Sequence, residues 1–146
     1  MPGETDLKKL LATMQPWLHD GIYVFATLPA ARIVPSGLNV VMTFHEAEGL
    51  TLILDESEAS RADLAGTFPS RMITLEVHSS LEAVGFLAAI SARLAAAGIG
   101  VNPVSAFYHD HLFVPVDRAD EAMRILERLA EEAKGKHDGA SNIDVD

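Results

Sequence analysis

The sequence predicts an α/β protein, α+β in arrangement, made of two small units whose antiparallel sheets pack side by side. Three observations predict it. Strand-like and helix-like patterns alternate through residues 5–134. The two halves repeat each other: Asn39, Val41 and Phe44 match Asn102, Val104 and Phe107 at a spacing of 63. After the turn Leu50, Leu54 and Asp55 match Leu112, Val116 and Asp117 at 62, and Glu58-Ala59 matches Glu121-Ala122 at 63. Finally, 49% of the 146 residues are hydrophobic, enough for one ordinary domain or two very small ones sharing a core.

Each element follows from local pattern. Residues 5–16 read as a helix: Thr5 or Asp6 caps it, Leu7, Leu10, Leu11 and Met14 form one stripe, and Pro16 ends it. GIYVFATLP, 21–29, is β-branched and aromatic, hence a strand, and 30–37 is a loop rich in turn residues. Residues 38–55 form a hairpin turning at EAEG, and 57–66 a short helix stopped by Gly66. In 71–78, Met72, Thr74 and Glu76 alternate with Ile73, Leu75 and Val77, so a strand is expected with those sets on opposite faces. Residues 83–98 make an Ala/Leu-rich helix with Gly98 as its C-cap. A second hairpin spans 101–117, and an amphipathic helix spans 120–134, with Ala122, Ile125, Leu126, Leu129 and Ala133 inward. The expected units are 1–66 and 67–134, with 135–146 a flexible acidic tail.

The second unit thus reads β-α-β-β-α, the ferredoxin-like order short of its last strand. That leaves an open sheet edge, which residues 21–28 or a second chain could cover. The first unit has a loop at 30–37 where the second has a helix, and carries its helix before the strand.

Composition excludes several functions. The net charge of −10, with no Lys/Arg cluster, argues against nucleic acid and against anionic membrane surfaces. No apolar run approaches a membrane span and the start lacks a secretory layout, so a cytoplasmic protein is expected. Without cysteine there is neither a disulfide framework nor a thiolate zinc site.

The stretch from MITLEVHSSLEAVG through LAAAGIGVNPVSAFYHDHLFVP to DEAMRILERL resembles an ACT domain, the ligand-sensing module of amino-acid metabolism. The nearest resemblance is to tandem-ACT proteins related to aspartate kinase regulatory domains and to the cytosolic arginine sensors of animals. Small bacterial members of that group also resemble YVFATLP and EAEGLTLIL in the first half, so the resemblance covers about residues 5–130. It implies a βαββαβ fold, paired units and an amino acid bound between them. It also implies a ligand against His78, Ser79, Ser80, Leu81, Glu82, Val84 and Gly85, and against Val101, Asn102 and Val104 on the next strand. These residues include no kinase catalytic domain, so no enzyme activity is expected.

The residues themselves leave two readings of HSSLEAVG. A helix start with Ser79, Ser80 and a close-approach Gly85 suits a ligand carboxylate, and Asn102 can read an α-amino or α-carboxylate group. Ser79-Ser80-Leu81-Glu82 is equally a capping box needing no ligand. FYHDHLFVP spaces His109 and His111 as two corners of a zinc site, with His78 as the remaining candidate ligand. Turn chemistry favours a hairpin tip at His109-Asp110 instead, because EAEG holds the equivalent place. No metal and no cofactor is expected, and no nucleophile accompanies His109-Asp110 to make a catalytic pair. Trp17 is expected to pack at the helix–strand junction, and His19 beside Asp20 to be a surface cap. The expected function is a non-catalytic sensor of an amino acid or similar metabolite, homodimeric, with an unidentified regulated partner. The alternatives are a ligand-free interaction module and, further off, a metal-dependent enzyme using His109 and His111.

Overall fold

The computed structural model describes residues 3–139, with side chains through residue 135. Twelve elements reduce to one sheet with helices on one side. Helix α1 spans Leu7–Thr13, capped by Asp6, which accepts from the Lys9 N–H at 3.1 Å. Strands β1 (Gln15–Leu18), β2 (Tyr23–Leu28), β3 (Val40–His45) and β4 (Leu50–Asp55) follow. Helix α2 is Glu56–Arg61 and strand β5 is the long Thr67–Glu76. Helix α3 (Phe86–Ala96), strands β6 (Asn102–Ser105) and β7 (Asp110–Pro115), a 3-10 turn at 116–118 and helix α4 (Ala119–Gly139) complete it.

The strands form one antiparallel sheet in the order β3-β4-β2-β5-β7-β6, with β1 also on β5. Strand β5 is shared. Its first half pairs with β2 (Tyr23↔Ser70, Phe25↔Thr67) and its second with β1 (Leu18↔Ile73, Gln15↔Glu76). Within the β2 pairing the register shifts between Thr67 and Ser70, around Phe68, whose φ of +57° is rare for a bulky residue.

Both hairpins form within the expected spans. The first turns at Glu46–Gly49, where two backbone hydrogen bonds close the loop. The faces of β5 divide as the alternation predicts. Ile73 and Leu75 join Leu112, Val114, Phe86, Ile90, Leu94 and Leu126 under the helices, while Met72 packs with Ile53 and Phe113 on the opposite face.

Several expectations need correction. Pro16 does not end a helix. α1 stops at Thr13 and Pro16 lies inside β1, opposite Leu75. An edge strand tolerates proline because the missing N–H leaves no ladder bond unmade. Both β1 and β2 cover the edge of β5, where only 21–28 or a second chain was expected. Residues 7–18 bury Leu10 and Met14 among the elements of the second half and pack the partly buried Leu18 against them. Helix α2 ends at Arg61, five residues before Gly66, because Asp63 adopts φ +56° and its N–H donates to Ser60 O. Helix α4 runs to Gly139, so the expected tail is helical over 135–139, and its remainder lies outside the described residues. No helix among the described residues is long and apolar enough to cross a membrane.

Candidate functional site

Beyond β5 the chain makes a string of tight turns rather than a helix. Ser79 N–H donates to Val77 O, Ala83 N–H to Ser80 O, and Glu82 N–H to Ser80 Oγ at 3.0 Å. The capping box therefore does not form, and α3 starts at Phe86 rather than Ala83. Gly85 stands at its N-cap with φ +93°, a conformation that favours glycine, and no side chain caps the helix.

The hairpin β6–β7 brings a carboxylate to this loop. Ser105 and Asp110 are cross-strand partners, and Ser105 Oγ–H donates to Asp110 Oδ1 at 2.5 Å. Asp110 is only 8% exposed. It shares the β7 face of Leu112 and Val114, which looks toward the helices. The turn itself is Ala106–His109, so Asp110 opens the strand instead of occupying the turn. A cleft of about 90 Å³ lies between loop and hairpin, lined by Ser79, Ser80, Leu81, Phe86, Ser105 and Asp110, with Ala83, Leu87 and Ala106. Its surroundings are apolar and open: Leu81 is 70% and Val84 84% exposed, and Phe107 and Tyr108 are also exposed. The His78 ring lies 5.8 Å from that of Tyr108.

The ten residues singled out from sequence divide between two faces of the sheet. Ser79, Ser80 and Leu81 line the cleft; His78 and Val84 stand outside it. Glu82 is exposed, and Gly85 sits beside Leu7. Val101 packs at the margin of the helix-side core. Asn102 and Val104 do not join the cleft. Val104 packs with Met72 and Phe113 on the opposite face, and Asn102, two residues away on the same strand, is exposed on that face. Sequence reading missed Ser105 and the cleft-facing role of Asp110; the Ser-x4-Asp spacing across a hairpin was the available signal.

A second polar cluster occupies the face away from the helices. Thr74 Oγ1 lies 2.6 Å from His19 Nε2 and 2.9 Å from His111 Nδ1. His109 Nδ1 meets Val77 O at 3.2 Å, and its ring is 6.4 Å from that of His111. Trp17 is 53% exposed and stands 4.2 Å from the His19 ring, so neither residue has its expected role. Burial pushes the His19 and His111 imidazoles below their ordinary pKa, with neighbouring histidines adding to the effect at His111. Among the described residues no group of three or more His, Asp or Glu could hold a metal ion.

Two family models, each described as the ACT domain, match residues 2–71 and 67–128. Among solved structures, a Vibrio cholerae protein of unknown function, named as a possible transport protein, is 42% identical with a TM-score of 0.77, over 85% of this chain and 95% of that one. An Agrobacterium tumefaciens protein is 20% identical with a TM-score of 0.69, over 80% and 89% of the two chains. The regulatory subunit of aspartate kinase from Thermus thermophilus shares the fold at 11% identity and a TM-score of 0.58, over 82% and 98%. No curated protein matches the chain.

Proposed function

Because the chain belongs to the ACT-domain family, in tandem, we propose that it is a non-catalytic regulatory module binding an amino acid or similar small metabolite at the cleft between loop 78–85 and the β6–β7 hairpin. The observation that carries this reading is Asp110. A nearly buried carboxylate faces a polar cleft whose other wall includes the first turn of an uncapped helix. A zwitterion fits that pair of charges. Its ammonium meets Asp110, its carboxylate meets the α3 N-terminus and the Ser80 N–H, and its side chain lies toward Leu81 and Val84. A homodimer in the cytoplasm fits the exposed apolar rim. A second chain there would enclose the ligand and transmit its binding as a change in packing.

The same rim supports a second reading. Leu81, Val84, Phe107 and Tyr108 suit a protein-docking face that needs no ligand. Thermal denaturation with each standard amino acid at millimolar concentration separates the two. A ligand at a hundredfold its Kd adds about 2.7 kcal/mol to the folded state. Asp110→Asn is expected to weaken binding by roughly ten- to a hundredfold through loss of a charge-assisted hydrogen bond. Asn102→Ala, on the far face, leaves binding unchanged. A melting temperature indifferent to every amino acid favours docking.

A further inference from the structure

Gly3 and Glu4 run alongside the loop of the proposed site. Glu4 N–H donates to His78 O at 2.8 Å, and Ser80 N–H donates to Glu4 O at 2.9 Å, pairing Glu4 with Ser79 in a parallel bridge. The approach is close enough to require glycine. A Cβ on Gly3 would stand 2.6 Å from Ser79 C and Ser80 N and 2.7 Å from His78 O, all backbone atoms.

The segment is tied toward α1 by the Glu4 side chain. Glu4 Oε1 accepts from the Thr5 and Asp6 N–H groups at 3.1 and 3.0 Å, and Glu4 Oε2 meets Lys9 Nζ at 3.3 Å. These contacts bend the chain into α1, whose Leu10 and Met14 are anchored in the core. The loop end rests on the two backbone hydrogen bonds, from Glu4 to the exposed His78 and the partly exposed Ser80. Those bonds use the carbonyl of His78 and the N–H of Ser80, beside the cleft that Ser79 and Ser80 line. A ligand that takes the Ser80 donor must displace Glu4.

We propose that residues 3–5 are a strap competing with the ligand for the backbone of His78–Ser80, so that binding at the cleft releases the N-terminal segment. This rests on the amino-acid reading above. A site whose loop groups are paired with Glu4 most of the time binds with an affinity reduced by the fraction of molecules in which they are free. Freeing it raises affinity by the reciprocal, about tenfold where one molecule in ten is open.

The test compares the intact chain, Gly3→Ala and a chain lacking residues 3–5. Titrating each with the standard amino acids by calorimetry gives the affinities, and hydrogen exchange reports the Ser80 amide. The strap requires faster Ser80 exchange and about tenfold tighter binding in both variants, with protection restored by the bound amino acid. Equal or weaker binding in the variants, with Ser80 freed, overturns the strap and leaves the sensor reading standing. Ser80 remaining protected in both variants also overturns it. No binding to any of the three chains overturns the sensor reading together with the strap.

Discussion

Thr74 Oγ1 has one proton to share between two imidazoles. It donates to one ring nitrogen and accepts from the other only while at least one ring stays neutral. Burial is the largest cause lowering both histidines; Glu76 and Asp20 pull His19 upward, Asp110 pulls His111 upward, and His109 and His19 press His111 further down. The unfolded chain therefore binds protons at the ordinary value of 6.5, above the folded values. This contribution to stability is whole above about pH 6.5 and is lost as pH falls through the depressed folded values. Urea unfolding is expected to show a lower midpoint at about pH 5.5 than at about pH 7.5, and the difference to shrink in the His19→Gln/His111→Gln double variant. Thr74→Val strands two ring nitrogens and is expected to cost about 1–3 kcal/mol at neutral pH. An unchanged pH response in the double variant would assign the acid sensitivity elsewhere. Turn chemistry placed His109 at the hairpin tip, where it lies, with its ring 6.4 Å from that of His111. His19 as a partner was invisible, because Thr74 lies 55 residues away in sequence.

At the level of elements, α3 shows what local signals decide. Gly98 takes φ +73° after the helix, its N–H donates to Ala95 O, and the Ile99 N–H donates to Leu94 O. Its missing side chain would meet open space, so Gly98→Ala tests backbone strain alone. A loss of about 1–2 kcal/mol is expected by chemical denaturation, against a change within about 0.5 kcal/mol for Gly100→Ala, which also faces open space without a positive φ. Equal effects of the two substitutions would show that the left-handed cap contributes nothing. The helix end was legible because Gly after a Leu/Ala run has a single common use. The helix start was not, because Ser80 Oγ accepts from Glu82 N–H in a local turn that competes with capping. Strand β1 was missed for a related reason. Its four residues include a proline, and only pairing with β5 makes them a strand.

Across the whole molecule, β5 joins everything. One strand carries β2 on its first half, irregular at Phe68, and β1 on its second, and α1 and β1 complete the core beneath α3 and α4. A chain of residues 67–146 is therefore expected to fail to fold. Losing Leu10 and Met14 alone removes about 3–6 kcal/mol of burial from a domain with roughly 5–15 to spare, and the β5 edge is left open. A dispersed amide NMR spectrum and cooperative melting of that fragment would refute this. The alternation of strand and helix, both hairpins, the two faces of β5 and the kinship of the halves are legible in the chain alone, because they follow from periodicities of two and 3.6 residues, from turn chemistry and from matched residues. That residues 7–18 pack with the second half, that Asp110 rather than Asn102 faces the cleft, and that Glu4 pairs with the loop beside it emerge only in the folded chain. Those facts depend on which distant segments meet, and local preference carries no information about contacts between chain segments dozens of residues apart.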